Sequence, residues 1–496
     1  MARYVIGIDG GTESIRCAIY DLSGKAVASA AAPYKTQFPH PAWAEQNPQD
    51  WWSSLCEAVR AALRKADVPA GDILALAVDT TCCTVVFLDA GGKPLRPALL
   101  WMDVRAAAEA ADTLATRDPA LIVNANGAGP ISAEWMIPKS LWVARHEPEI
   151  FHQAKTVCEY QDYINFRLTG RIVASINNAT ARWHYRTHSG GFARDLVAKA
   201  GMPELADKWP KDVIRLGEVI GGLTGEASEA LSLPVGLPVA QGGADAFIAL
   251  LGMGVVRPGT IGFITGSSHL HLALTDREMH GSGIWGTYDD CVIPGLGVLE
   301  GGQTSTGSIV NWLRNIVGGE WNYDTLNAEA AEIAPGADGV LVQDHFQGNR
   351  TPHTDPHSRG ALLGLSLNHT RAHVYRAMME GVAFGTELIF ETMRANGFEQ
   401  GDIVICGGAT RSDLWMQIHA DVSGVPLILT EVPDAATLGS AILAAVGGGA
   451  FAGIPAAADA MVHRLRVVEP DMERHALYRP IYERYKRAYG AIKSIG

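Results

Sequence analysis

The sequence predicts an α/β protein of two domains, each opening on the same strand, glycine-rich turn and strand. Three observations carry this. A chain of 496 residues exceeds what one hydrophobic core spans, so two domains of roughly 250 residues each are expected. A β-branched strand runs into a Gly-rich turn and a return strand near residue 9, and the same device recurs near residue 266. Between the two, short apolar strands alternate with segments of helical periodicity.

In chain order, Tyr4-Val5-Ile6-Gly7-Ile8-Asp9 is a strand and Asp9-Gly10-Gly11-Thr12-Glu13-Ser14 its turn. Ile15 to Tyr20 returns, and Asp21-Leu22-Ser23-Gly24-Lys25 turns again, which makes a hairpin. Asn47-Pro48 starts a helix by the rules for the N-cap and first turn, with Trp52, Leu55, Cys56, Val59 and Leu63 on one face. Ile73–Val78 is a further strand. The boundary falls near Met253–Gly259, at a Val-Val-Arg-Pro-Gly linker, dividing the chain into 1–253 and 254–496. Thr260 to Thr265, Gly266-Ser267-Ser268 and His269 to Leu274 form the second hairpin. The halves share a device and little sequence, so they read as related domains facing each other across a cleft rather than as a strict repeat. A long helix runs from about Ala372 to Arg394 with Val374, Ala377, Met378, Val382 and Leu388 inward. Its Gly381 and Gly385 imply close approach of a neighbour or ligand. Asp402–Cys406 is a strand, and the charge-free window Ala435 to Ala458, rich in Ala and broken by Gly447-Gly448-Gly449, Gly453 and Pro455, reads as a buried helix and a loop, not a membrane span.

Composition narrows the setting. A 47% apolar content and mean hydropathy of +0.06 describe a soluble globular protein. Net charge is −13 with no Lys/Arg run, which argues against nucleic acid as a partner and requires an anionic nucleotide to be held by local geometry. Seven scattered cysteines, odd in number and in apolar surroundings, read as reduced thiols. The first strand begins at Tyr4, leaving no room for a signal peptide, so a cytoplasmic location is expected. Gly-x4-Gly-Lys-Ser/Thr is absent, which excludes a P-loop, and no Gly-x-Gly-x-x-Gly follows a strand.

The chemistry concentrates in residues 242–268. Gly242-Gly243-Ala244-Asp245-Ala246 places one carboxylate on a flexible turn, and Gly262-Phe263-Ile264-Thr265-Gly266-Ser267-Ser268 ends a strand in small residues whose N–H groups suit an anion. A base for an alcohol beside a cradle for a phosphate suggests a kinase acting on a hydroxyl. Asp9, at a strand end beside Gly10-Gly11-Thr12, suits hydrated Mg²⁺. Ile403-Val404-Ile405-Cys406-Gly407-Gly408-Ala409-Thr410-Arg411-Ser412 is a strand, a double glycine and the start of a helix. A flat base could lie against those glycines, and Ser412 either caps the helix or bonds a purine. Alone, these pieces also read as a hairpin turn, a capping Asp and a strand-to-helix turn. His269 and His271 share a strand face, but without a third ligand in suitable spacing they make no metal pair.

Together and in this order, the pieces resemble the FGGY family of carbohydrate kinases over nearly the whole chain. The most specific stretch is Gly360-x-Leu362-x-Gly364-Leu365, seven residues, then His373-Val374-x-x-Ala377-Met378-Met379-Glu380, similar to the family's C-terminal signature. The resemblance implies two actin-like (ribonuclease H-like) domains with ATP between them and a sugar in the cleft. Trp43-Ala44-Glu45-Gln46 is similar to a cleft segment common in the family. Trp101-Met102-Asp103-x-Arg105-Ala106, Ser132-Ala133-Glu134-Trp135-Met136, Asp245-Ala246, Glu300-Gly301-Gly302-Gln303 and Asp344-His345-Phe346-Gln347-Gly348-Asn349-Arg350 resemble ribulokinases.

Carried over, the resemblance implies that Cys82, Glu134, Trp135, Asp245, Glu300 and Gln303 face a ketose. Asp245 is the base, Asp9 and Asp245 help hold Mg²⁺, and Gly10, Gly11, Thr12, Ser14, Gly266, Ser267 and Ser268 cradle phosphates. Gly307, Gly407, Gly408 and Ser412 line the nucleoside site. Two departures stand out. L-ribulokinases carry Lys where this chain has Thr180, and the phosphate turn has Ser267 in place of Thr. The expected reaction is ATP-dependent phosphorylation of the terminal hydroxyl of D-ribulose, with L-ribulose, xylulose or a pentitol as alternative acceptors. An actin-like ATPase without a small acceptor is the alternative class. The expected partners are a small sugar and ATP, with no membrane, and oligomeric state stays open, a homodimer included.

Overall fold

The strands form where β-branched and small residues alternate, and they assemble into two mixed sheets. The computed structural model describes residues 3–317, 322–431 and 434–495. In the first sheet the order is Val219–Gly222, Pro238–Ala240, Ile73–Thr80, Tyr4–Gly10, Ser14–Asp21 and Ala26–Pro33. In the second it is Arg464–Val468, Leu427–Thr430, Ile403–Gly407, Ile261–Thr265, His269–Thr275, Gly297–Gln303 and Trp285–Asp289. Six strands correspond one to one. Tyr4–Gly10 and Ile261–Thr265 each pair antiparallel with the next strand in sequence and parallel with one from far along the chain. The device predicted twice therefore heads two sheets of the same order, differing in where the outermost antiparallel strand enters the chain.

The layers follow from strand alternation. Ile6 and Ile8 face a core closed by helix Pro48–Ala66, whose Asn47 accepts a bond from Gln49 N–H at 3.1 Å. Val5, Ala75 and Ala77 face the other way, into a core shared with Leu272, Val404 and Ile428 of the second sheet. Helices Asp245–Gly252 and Ala435–Gly447 fill that shared layer. The far face of the second sheet is covered by helices Arg371–Ala395, Asp413–Ser423 and Met472–Lys493.

Helix Ala435–Gly447 belongs to the second half of the chain yet lies on the first sheet. A methyl group on Gly7 would come 1.9 Å from Thr437 O, and one on Gly252 would come 2.0 Å from Ala435 O. The backbones touch, and only glycine permits it. The window from Ala435 to Ala458, expected as one helix and a loop, holds a second helix, Ile454–Met461. Among the described residues no helix is long and apolar enough to cross a membrane. Gly381 and Gly385 admit Val342 O and the Gln303 amide respectively, so the close approach expected there is to protein.

The shared face of His269 and His271 is real, and His419 from helix Asp413–Ser423 completes a buried trio. Phe263 occupies the middle, its ring 4.9, 4.6 and 5.1 Å from the three imidazoles. Among the described residues no group of three or more His, Cys, Asp or Glu could hold a metal. Burial holds His271 and His419 neutral to about 3, and no hydrogen-bond partner meets either His419 nitrogen. A folded-state value below the unfolded ~6.5 gives stability that is full above that pH and lost as pH falls toward 3. Buried carboxylates with raised values pull the opposite way, so the test is a difference. Between pH 6.5 and 5, His419→Leu should lose less stability than the parent by about 1.4 kcal/mol per pH unit, read from urea midpoints.

Candidate active site

Register brings the acids together. Asp9 ends its strand opposite Asp79 on the parallel neighbour and Arg16 on the antiparallel one. Thr80 N–H donates to Gly243 O at 3.0 Å, which draws the Gly-rich turn alongside and sets Asp245 at the first residue of helix Asp245–Gly252. Three carboxylates thus converge at the ends of two strands and one helix N-terminus.

Their electrostatics follow. Burial, reinforced by the charge of Asp9, pushes Asp245 up to about 7, against the pull of Ala246 N–H and Arg16. Asp79 is raised further, by burial and then by Asp9, although Ser440 Oγ–H donates to it at 2.6 Å. Asp9 is raised by burial and moderated by its ion pair with Arg16. The Oδ1 atoms of Asp9 and Asp79 are buried with no hydrogen-bond partner. No three acids among the described residues close into a ready-made metal site, but a pair of carboxylate oxygens with unclaimed lone pairs suits a hard divalent cation that keeps most of its water, so the residues present fit hydrated Mg²⁺. Asp79 and Arg16 were not singled out in the sequence. Asp79 had a signal, since Val78-Asp79-Thr80 ends a strand in an acid as Ile8-Asp9-Gly10 does.

The first turn is braced from three sides. Tyr34 OH donates to Gly11 O, Gln46 Nε2 donates to Thr12 O at 2.6 Å, and the Trp101 indole donates to Thr12 Oγ1 at 3.0 Å. Gln46 and Trp101 come from two segments that resemble the family, and both meet here. Ser14 begins the return strand, half-buried.

On the other side, Gly266, Ser267 and Ser268 are exposed at the second hairpin. Their carbonyls are claimed by the start of helix Gly307–Val317, through Thr306 N–H to Ser267 O at 2.9 Å and Gly307 N–H to Gly266 O at 3.2 Å. A methyl group on Gly307 would stand 2.5 Å from Gly266 O, so Gly307 supports the turn directly. Gly407 pairs with Thr265 and has φ 102°, open to glycine alone, and Gly407 and Gly408 are exposed next to the phosphate turn. Ser412 takes the capping alternative. Its Oγ accepts from Trp415 N–H at 3.2 Å and donates to Asn327 at 3.0 Å. The two sides meet through Arg16, which pairs with Asp434 at 2.9 Å. The Asp434 charge in turn reaches Cys406, ahead of Gly407.

Several of the residues expected to face a sugar cluster around one that the sequence reading passed over. Arg182 ends helix Ile176–Arg182 and donates to Glu300 Oε2 at 2.9 Å and to the Tyr288 hydroxyl at 3.2 Å. Its guanidinium lies 5.5 Å from the Trp135 ring and 5.6 Å from Phe247, two residues past Asp245. Burial alone would raise the Glu300 carboxyl, but Arg182 and Arg350 outweigh it and hold it below the ordinary range. Cys82 is half-buried within reach of the Arg182 charge, its Sγ 3.5 Å from that of Cys83. Glu134 is half-buried just before Trp135.

Two expectations change. Gln303 does not face this pocket. It lies three residues from Glu300 on one strand, hence on the opposite face, and its amide donates to Asp344 and Val382 O and accepts from Thr386. Thr180, which stands where the resemblance places a Lys, brings no charge, but a different cation lies nearby. Thr180 is buried with its hydroxyl donating to Ile176 O at 2.8 Å, while Arg182, roughly 200° further around the helix, brings a guanidinium in from another direction. All seven cysteines are free thiols, as expected.

Two sheets of equal order, two shared-layer helices and acids at the strand ends define the actin-like two-domain fold with an interdomain cleft. Residues 4–252 match the N-terminal domain of the FGGY family of carbohydrate kinases and residues 262–448 its C-terminal domain; the chain belongs to this family and is a carbohydrate kinase. It is 33% identical to a ribulokinase of Shouchella clausii, covering 99% of this chain and 95% of that protein. It is 26% identical to a xylulose kinase of Staphylococcus epidermidis, over 99% and 97%. The solved structure of xylulose kinase from Rhodospirillum rubrum superposes with a TM-score of 0.91 at 32% identity, covering 99% of each chain.

If Arg182 bonds the acceptor as well as Glu300, its loss removes a charge-assisted contact of about 1.5–3 kcal/mol. Arg182→Ala should then raise the KM for the sugar by one to two powers of ten and leave that for ATP within twofold. Steady-state kinetics with each substrate varied in turn reads the split.

Proposed function

We propose that the protein transfers the γ-phosphoryl group of ATP to the terminal hydroxyl of a pentulose, with D-ribulose the favoured acceptor and D-ribulose 5-phosphate the product. The observation that supports this best is the placement of Asp245. A carboxyl at a helix N-terminus, pushed up to about 7, stands two residues from Phe247, whose ring lies beneath the Arg182 guanidinium. A buried polar cluster of Arg182, Glu300 and Tyr288 against Trp135 is a feature that an ATPase without a small acceptor does not need.

In this reading Asp245 orients the acceptor hydroxyl and takes its proton as the oxygen attacks phosphorus, a role worth roughly 10²–10⁴ in rate. Arg182, Glu300, Cys82, Glu134 and Trp135 hold the ketose. The turn Gly10 to Ser14 and the Gly266-Ser267-Ser268 turn receive the phosphates, with Gly307, Gly407 and Gly408 along the nucleoside. Arg16, already between Asp9 and Asp434, adds a cation beside the phosphate path. Asp9 and Asp245, with Asp79 adjacent, would hold Mg²⁺, which when bound supplies neutralisation of the phosphate charge. Domain closure would keep water from the γ-phosphate.

Support for a pentulose comes from the segments around Glu134 and Glu300 and from the ribulokinase and xylulose kinase relatives. The D-epimer is favoured because L-ribulokinases place an amine where Thr180 stands, and the guanidinium that replaces it arrives from a different angle. D-xylulose is the second reading, on the strength of the Rhodospirillum rubrum structure.

Asp245→Asn should lose most turnover while still binding ATP, measured by calorimetry; near-parental turnover would remove Asp245 from the base role. In the parent, kcat/KM for the sugar should decline as pH falls, since only the carboxylate accepts a proton, with bound Mg²⁺ setting the midpoint below the value of about 7 that burial and Asp9 give Asp245. A panel of D-ribulose, L-ribulose, D-xylulose and ribitol should give the highest kcat/KM with D-ribulose. A tenfold lead for L-ribulose would overturn the argument from Thr180, and no turnover with any of the four would overturn the pentulose reading.

A further inference from the structure

Lys139 is buried without a counter-ion. It lies on helix Met136–His146 with no solvent exposure, and among the described residues no carboxylate is close enough to form an ion pair with it. Its three N–H donors meet three main-chain carbonyls instead, Cys83 O at 2.8 Å, Leu100 O at 2.5 Å and Leu99 O at 3.5 Å. A buried ammonium is costly unless every donor is matched, so this arrangement calls for a reason.

The reason lies in what the carbonyls belong to. Cys83 O closes the turn that presents Cys82. Leu99 and Leu100 lead into Trp101, whose indole bonds Thr12 of the first phosphate turn. The helix that carries Lys139 starts immediately after Glu134 and Trp135. Cys83 itself has φ 62°, a left-handed conformation in a residue that is not glycine. That strain is held from both ends, its carbonyl by Lys139 and its N–H by Glu159 Oε2 at 2.8 Å. The same Glu159 accepts from Asn178 at 3.0 Å and from the Trp183 indole at 2.7 Å, on either side of Arg182. The Cys82 turn, the segment entering Trp101 and the start of the Glu134–Trp135 helix tie to Lys139 directly, and the helix that ends in Arg182 ties to it through Cys83 and Glu159.

We propose that Lys139 is a positioning residue of the sugar site, whose ammonium clamps the Cys82 turn, the segment entering Trp101 and the Glu134–Trp135 helix start into one binding geometry. This rests on the reading that the pocket takes a sugar. The clamp is graded by pH, because burial brings Lys139 down to about 8 despite the facing Cys83, Asp103, Glu134 and Glu159. As pH rises past that value the ammonium loses a proton and a donor, and the clamp loosens.

The test uses the full chain and its Lys139→Met variant, which keeps an unbranched side chain one atom shorter and removes every donor. Steady-state kinetics with the best acceptor of the sugar panel would run from pH 6.5 to 9.5. At pH 7.5 the variant should show a sugar KM at least tenfold higher, with the ATP KM within twofold. The parent's sugar KM should climb above about pH 8, and the variant's should lack that climb. Equal sugar KM values, or the same alkaline climb in both, would overturn the clamp while leaving the sugar reading intact. No sugar turnover by the parent would overturn the sugar reading and the clamp with it. Should the variant fail to fold, seen as lost far-UV dichroism, the parent decides, and a sugar KM flat to pH 9.5 overturns the proposal.

Discussion

The structure depends on a backbone contact between helix Ala435–Gly447 and the first sheet. Gly7 lets Thr437 O into the sheet surface, Gly252 admits Ala435 O, and Gly439 admits Ile248 O. Any side chain at these positions would push the helix outward by ångströms, because close-packed interiors have no slack to absorb it. The contact inserts a piece of the second half between the two sheets and makes one apolar layer of both.

The acids are placed by the same contact. Ser440, one residue past Gly439, bonds Asp79, and Asp434, which caps the helix, holds Arg16 against Asp9. Three carboxyls forced together and out of water repel one another, and each is driven toward its proton form. Such a cluster is unfavourable for folding alone and becomes favourable when a divalent cation and a phosphate tail share its field. The arrangement stores the need for the ligand in the fold.

The cluster around Arg182, proposed to take the sugar, is organised differently. It relies on charge compensated within the protein, Arg182 by Glu300 and Tyr288, and Lys139 by main-chain carbonyls. The Arg182–Glu300 pair also spans the two halves of the chain, as does Asn177 with the Cys291 carbonyl at 3.0 Å. A sugar seated there touches groups from both halves, which couples its binding to the relation between them.

Local chemistry was legible in the sequence. The hairpins at 9 and 266, the Asn47 cap, the long helix expected from about Ala372 to Arg394 and the double glycine at 407 each follow from a few neighbouring residues, and the family resemblance rests on such segments. The alternation of a strand would also have shown that Glu300 and Gln303 cannot face the same way. Asp79, Arg16, Arg182, Lys139 and His419 were not legible as parts of a site, although each stands plainly in the chain. Their roles come from strand register and helix docking, which join residues tens to hundreds of positions apart. The sequence by itself determined the elements, their order and the residues able to do the chemistry, because these depend on backbone preference within a few residues. Tertiary structure alone decided which acids share a field, where the Arg182 guanidinium lies and which amide turns inward, because burial, charge and contact belong to the space between elements.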